Sequence, residues 1–208
     1  MFITFEGPDG SGKTTQVALL VDFLTRQGYS VFPTREPGGT SIGEQIRTIL
    51  HSLENDELAP RTEILLYSAS RAQIVEEIIR PRLARSEVVI CDRFYDSTLA
   101  YQGYGHGLDL DILKTITSFA TGGLKPDLTF YIEIDPETGL ERRMQDKDAE
   151  WNRLDAYALD FHQRVYEGYA TLQAAEPERW VVIDGMLPVD QVCERICNAS
   201  LERLKQVR

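Results

Sequence analysis

The chain is poor in the residues on which several protein classes depend. Its three cysteines, Cys91, Cys193 and Cys197, are odd in number and give no disulfide framework. Cys91 closes an apolar run, and Cys193 and Cys197 lie near Val189, Val192 and Ile196 on an expected helix, so packing is the role expected of all three. The histidines His51, His106 and His162 are scattered without metal-ligand spacing, and no zinc site is expected. No Ser-His-Asp or Cys-His arrangement stands out. No apolar run approaches the ~20 residues that span a bilayer, and there are no repeats and no linker. Basic residues are in deficit: 22 Lys and Arg against 33 Asp and Glu give a net charge of −11. Such a chain repels a polynucleotide backbone, so neither nucleic acid nor membrane is expected as a partner. A small basic pocket for a mononucleotide remains possible. The first strand is expected to begin at Phe2, so no signal peptide is expected before it, and the location expected is cytoplasmic.

What is present is more telling. The 208 residues suit one domain, 1–208, with a full core. Gly7-Pro8-Asp9-Gly10-Ser11-Gly12-Lys13-Thr14 matches G-x-x-x-x-G-K-[ST]. Phe2-Ile3-Thr4-Phe5 before it reads as a buried strand. Val17, Leu20, Val21 and Leu24 after it share one helix face. Strand, glycine loop and helix N-terminus in that order make an anion site, because backbone N–H groups and the helix dipole both face the ligand. Lys13 is placed to reach the β and γ phosphates and Thr14 to hold Mg²⁺. The alternative, a turn that only caps a helix, does not need this context.

Strand and helix signals then alternate, which predicts an α/β fold on a mostly parallel sheet. Strands are expected near 2–6, 30–34, 88–91, 128–134 and 180–183. Helices are expected from the loop to about Gln27, from Ser41 to about Leu53, over Thr62–Ile79 with a kink or interruption at Pro81, over about 110–120, 136–144, up to about Ala175, and over 189–204. Ser41 with Glu44 reads as a capping box, and Gly103-Tyr104-Gly105-His106-Gly107 as a glycine-rich loop. Residues 145–152 are polar with weak periodicity. The clusters 7–14, 35–39, 92–102 and 135–155 follow strands and should converge on one cleft.

Asp92-Arg93 ends an apolar strand. Its carboxylate is placed to hold Mg²⁺ through water, whereas pairing with its neighbour alone is the simpler alternative. Tyr67 and Arg71 stand i, i+4 on a helix. They either stack on and donate to a base or form a surface cation–π pair, and spacing does not decide.

These segments together resemble the thymidylate kinase family, bacterial type, of the P-loop nucleoside monophosphate kinases. Besides residues 7–14, the resemblance rests on Thr34-Arg35-Glu36-Pro37-Gly38-Gly39-Thr40, on Arg71 within residues 67–73, and above all on Asp92-Arg93-Phe94-Tyr95-Asp96-Ser97-Thr98-Leu99-Ala100-Tyr101-Gln102, which follows the family's acid-Arg-aromatic-x-x-Ser-x-x-Ala-Tyr pattern. It covers nearly the full chain. It implies a P-loop NTPase fold, a three-layer α/β/α sandwich with a five-stranded parallel sheet and a short mobile lid at about 142–155. It implies ATP-dependent, Mg²⁺-assisted phosphorylation of dTMP to dTDP in dTTP biosynthesis, and a homodimer. By the same resemblance Tyr67 would stack on thymine and Arg71 would donate to its carbonyl. Ser97, Thr98, Tyr101 and Gln102 would line the nucleoside pocket, with Tyr101 crowding the sugar where a 2′-hydroxyl would sit. Arg93, helped by Arg35 or Arg47, would clamp the monophosphate, and Asp9 and Glu36 would be acidic partners of Mg²⁺, its waters or the clamp. With no arginine in the loop, catalytic charge is expected from the lid, where Arg153 fits best. Arg142 would pack on adenine, and Arg143 and Lys147 read as solvated charges. A kinase for another monophosphate, or a P-loop switch or partitioning ATPase without an acceptor, is the alternative.

Overall fold

The computed structural model describes residues 1–145, 154 and 157–207. Five parallel strands form one sheet in the order β2-β3-β1-β4-β5, comprising β1 (Phe2–Glu6), β2 (Val31–Arg35), β3 (Val88–Asp92), β4 (Leu128–Glu133) and β5 (Trp180–Asp184). Among the described residues the helices are α1 (Lys13–Arg26), α2 (Ser41–His51), α3 (Pro60–Ile74), α4 (Arg80–Ala84), α5 (Tyr95–Thr98), α6 (Leu110–Thr121), α7 (Pro136–Gln145), α8 (Leu159–Ala175) and α9 (Val189–Val207). This is the α/β architecture the alternating pattern predicts, with strand ends shifted by a residue or two.

Alternation along β1 decides what lies on each face. Ile3 and Phe5 turn toward α1 and α9, where they join Val17, Leu20, Leu24, Val192, Ile196 and Leu204 in one apolar core. Phe2 faces the other way, into a core with Ile64 and Ile74 of α3 and Leu113 of α6. Thr4 and Glu6 share that second face, and both are fully buried. Thr4 pairs with Thr129 of β4, hydroxyl to hydroxyl, at 2.9 Å. A third cluster under α8 gathers Tyr101, Tyr131, Phe161, Tyr169 and Trp180. The polar residues of the second face thus sit beneath an aromatic layer and open only at the carboxyl edge of the sheet.

Three local expectations are corrected. The cap of α2 is Thr40, whose side chain accepts from Gly43 N. Glu44 does not complete a capping box, because its carboxylate is taken by Gly39 N at 2.8 Å and by Arg35. Pro81 does not interrupt the helical stretch at its own position, since α4 runs through it. It is preceded by a π-helical turn, Val75–Ile79, with Arg80 N bonded to Val75 O, and this wider turn accommodates the missing Pro81 N–H. The glycines at 103 and 105 belong to a second π-helical segment, Leu99–Gly105, rather than to a loop. Gly105 is needed for packing, since a Cβ there would stand 2.6 Å from the Phe161 ring.

Candidate functional site

A cleft of about 350 Å³ opens at the carboxyl ends of β1, β2 and β3. The phosphate loop follows β1. Gly10 adopts φ 77°, and a Cβ there would collide with the Gly139 carbonyl oxygen at the start of α7. Lys13 opens α1 and is nearly buried. Its ammonium donates to Gly7 O at 3.2 Å, Pro8 O at 2.8 Å and Ser11 Oγ at 3.3 Å. Burial, and then the Arg93 charge, push its pKa down to about 8 against the pull of Asp9, Asp92 and Glu6. The next residue, Thr14, donates from Oγ1 to Asp92 Oδ2 at 2.8 Å.

Asp92 and Arg93 do not pair with each other. Arg93 adopts φ 68°, a left-handed conformation that costs a non-glycine residue about 1 kcal/mol or more. Bonds on every side hold it there. Its N–H donates to Phe5 O at 2.8 Å. Its guanidinium donates to Asp9 Oδ1 at 2.9 Å, Ser97 Oγ at 3.1 Å and the Tyr101 hydroxyl at 3.3 Å. Burial would raise the Asp9 carboxyl, but Arg93 and Lys13 outweigh it and hold the group well below the usual carboxylate range.

Beneath Arg93 lies Glu6, which sequence reasoning missed. Its carboxylate accepts from Phe94 N at 2.8 Å, Ser97 Oγ at 2.5 Å and the Tyr169 hydroxyl at 2.8 Å. Complete burial, and then the nearby Asp96 charge, raise its pKa to about 7 despite Arg93. The one available signal was the alternation of β1, which puts an acid on the same face as Thr4. Tyr169 is distant in sequence and carried no motif. Asp96 and Arg179 were also missed. They form a buried bidentate pair at 2.7 and 2.8 Å that ties α5 to the start of β5.

The second half of the cleft is built on α3. Tyr67 and Arg71 both line it, so the alternative of a surface cation–π pair is set aside. The Arg71 side chain is 1% exposed. It donates to Glu36 Oε2 at 2.7 Å, Thr98 Oγ1 at 3.0 Å and Phe94 O at 3.3 Å. Burial raises the Glu36 carboxyl, and Arg71 opposes that shift. Ser97, Thr98, Tyr101 and Gln102 line the same space, as do Arg35, Arg47 and Arg142. Arg35 is engaged by Glu44, and Arg47 donates to Pro37 O at 3.2 Å. Arg142 donates to Gly185 O at 3.1 Å. Arg143, read from the sequence as a solvated charge, lines the cleft too. Of the loop residues, Asp9, Gly10, Gly12, Lys13 and Thr14 face the cleft, whereas Gly7, Pro8 and Ser11 serve as acceptors for Lys13. Arg153 and Lys147 lie outside the described residues.

The arrangement offers a loop for a polyphosphate at one end and a pocket of donors and aromatics at the other, joined by Arg93. The family model described as thymidylate kinase matches residues 5–196. The chain belongs to the thymidylate kinase family. Among family members, a thymidylate kinase of Roseiflexus castenholzii is 53% identical, with 100% of this chain and 98% of that protein aligned. One from an Exiguobacterium species is 48% identical over 99% and 96%. A thymidylate kinase structure from Ehrlichia chaffeensis superposes with a TM-score of 0.79 at 34% identity, covering 96% of this chain and 97% of that one. Family membership makes this chain a kinase, and the match in structure places the P-loop fold expected from residues 7–14 on all five strands.

Proposed function

We propose that this protein transfers the γ-phosphoryl group of ATP to the phosphate of dTMP. The observation that carries the proposal is one continuous cleft with Lys13 at one end and the Tyr67–Arg71 pocket at the other. The acceptor is already an anion at neutral pH, so no strong general base is needed, and the protein's part is alignment and charge neutralisation. In this reading Lys13 leaves its loop carbonyls for the β and γ phosphates. Arg93, aimed by Asp9 and Ser97 in the free cleft, grips the acceptor phosphate. Tyr67 stacks on the base, Arg71 and Thr98 read its polar edge, and Tyr101 crowds the sugar. Arg142 lies at the loop end, where the donor's base would project. Arg47 and Glu36 close the acceptor side, and the segment about 142–155 is read as the lid of a single domain.

The site also fits Mg²⁺. Thr14 Oγ1 and Asp92 Oδ2 are hard oxygen donors 2.8 Å apart at the mouth of the loop, the ligand type Mg²⁺ prefers while keeping several waters. Bound there, the ion would offset charge on the donor's phosphates. Thr14 would hold it directly and Asp92 through water.

A homodimer, in the cytoplasm, completes the reading. Helices α2 and α6 each leave apolar side chains exposed: Ile42 and Ile49 on one, Ile112 and Phe119 on the other. Phe119 is 89% exposed and Ile112 59%, and α3 packs between the two helices with Leu65 exposed.

A coupled assay of ADP formation with dTMP, UMP, CMP, AMP and GMP tests the proposal. Turnover should require a monophosphate and be fastest with dTMP. ADP formation with no acceptor present would instead identify an ATPase.

A further inference from the structure

A buried acid outside the sequence signature is hydrogen-bonded to one of the polar groups that line the cleft. Glu63 lies in the first turn of α3 and is 0% exposed. Gln102, which lines the cleft, is 2% exposed and donates from Nε2 to Glu63 Oε1 at 2.6 Å. His106 Nε2 stands 3.4 Å from the same oxygen. Two nitrogens thus converge on one carboxylate oxygen at a helix N-terminus, where negative charge is favoured. At that contact the Glu63 oxygen is the acceptor. The amide of Gln102 must therefore turn its NH₂ to Glu63, and its carbonyl oxygen points the other way.

From this geometry, and resting on the proposed dTMP reading, we infer that Glu63 is a positioning residue that locks Gln102 as a hydrogen-bond acceptor for the base. With Arg71 as a donor nearby, the pocket offers one donor and one acceptor. A 2,4-dioxopyrimidine matches them with O4 and N3–H. A 4-aminopyrimidine presents an amino group to the donor and a bare N3 to the acceptor, and both are mispaired. Glu63 is not among the residues that line the cleft, and in this reading it acts on the base through Gln102. Without its carboxylate the amide is free to turn over, and the pocket then pairs with either base type.

The test compares the full chain with its Glu63→Gln variant, an isosteric change, measuring kcat and KM for dTMP and dCMP with ATP and Mg²⁺. The ratio of kcat/KM for dTMP over dCMP should fall about tenfold or more, since a mispaired buried polar group is what rejects the wrong base. The change should come from a higher KM for dTMP and a lower one for dCMP, with kcat for dTMP within about threefold. An equal loss for both substrates would mean that Glu63 is merely structural and would overturn the inference. Should Glu63→Gln fail to fold, the exchanged pair Glu63→Gln with Gln102→Glu decides. There the new amide holds the new carboxylate, which still presents an acceptor to the base, so dTMP preference should return; a folded double variant without that preference would overturn the inference. Absence of dTMP turnover in the wild type would defeat the functional reading itself. Wild-type turnover with an unchanged ratio in the variant defeats only the role of Glu63.

Discussion

Removing Arg71 separates what the cleft does for folding from what it does for substrate. In Arg71→Ala, Glu36 keeps a side chain that is 3% exposed but loses its cation. Stranding one partner of a buried pair costs about 3–5 kcal/mol. Glu36 recovers part of this by taking up a proton. Its carboxyl is already raised by burial against the opposing pull of Arg71, and without that pull it rises further. A raised carboxylate contributes stability that is present at low pH and lost as pH climbs through its folded value. The destabilisation of Arg71→Ala, measured by urea denaturation, should therefore be larger at pH 8 than at pH 6. Substrate binding follows a different rule. A lost charge-assisted hydrogen bond to the base is worth roughly 1.5–3 kcal/mol, so the KM for dTMP should rise about 10- to 150-fold while that for ATP stays within about twofold. A second variant, Arg71→Met with Glu36→Gln, removes both charges. It should regain most of the stability and none of the dTMP affinity. Equal rises in both KM values, or recovery of dTMP affinity together with stability, would refute the assignment of Arg71 as a base reader.

Further outcomes are expected elsewhere in the molecule. Lys13→Ala should abolish turnover while leaving circular dichroism unchanged; retention of most of the wild-type kcat would contradict its role. Because the Lys13 ammonium is held at about 8 in the free protein, affinity for ATP should weaken above that pH, by about tenfold one unit higher. Calorimetry from pH 7 to 9 reads this, and a flat profile would count against it. Glu6 keeps its proton up to about 7 when folded but loses it near 4.5 when unfolded, so its contribution to stability should be lost as pH rises across that window, on the order of 3 kcal/mol. Glu6→Gln should flatten that slope in denaturation curves, and an unaltered slope would point to other groups. Phe119→Lys should convert a dimer to a monomer by light scattering; a wild-type chain that is already monomeric would remove the dimer from the reading.

The parts legible in the sequence are those in which one segment carries its own geometry. Residues 7–14 specify loop, cap and anion site together, and residues 88–91 announce a central strand through an unbroken apolar run. Tyr67 and Arg71 were readable as a pair because helical spacing alone brings them to one face. Contacts between distant segments were not readable. Glu6 acquires its role only when β1 and β3 lie side by side and Phe94 N and Ser97 come within reach. Tyr169 arrives from α8, and Arg179 meets Asp96 across the sheet. Glycine misled at 103 and 105, where it makes room for Leu110 and Phe161 rather than for a turn. Glu44 misled because its place in a capping pattern does not reveal that Arg35 and Gly39 compete for it. At 93 a left-handed arginine is held by partners from three other segments, and nothing in its immediate neighbours predicts it.

These long-range contacts share a purpose in the free cleft. Arg93 is paired with Asp9, Arg71 with Glu36 and Arg35 with Glu44, while Lys13 is folded onto loop carbonyls and Thr14 onto Asp92. So many cations gathered in one pocket would draw in arbitrary anions if they stood unpaired. Each pairing holds its cation in a set direction, and a phosphate must exchange places with a carboxylate or a carbonyl to engage it. Such an exchange leaves the displaced acid beside the newly bound phosphate, where it repels unless a proton or a metal ion joins it. On the proposed reading Asp9 and Asp92 would receive Mg²⁺ or its waters, whereas the buried Glu36 would keep Arg71 when a base arrives. On the proposed reading, then, the phosphate end of the cleft would exchange partners during each cycle and the base end would stay fixed.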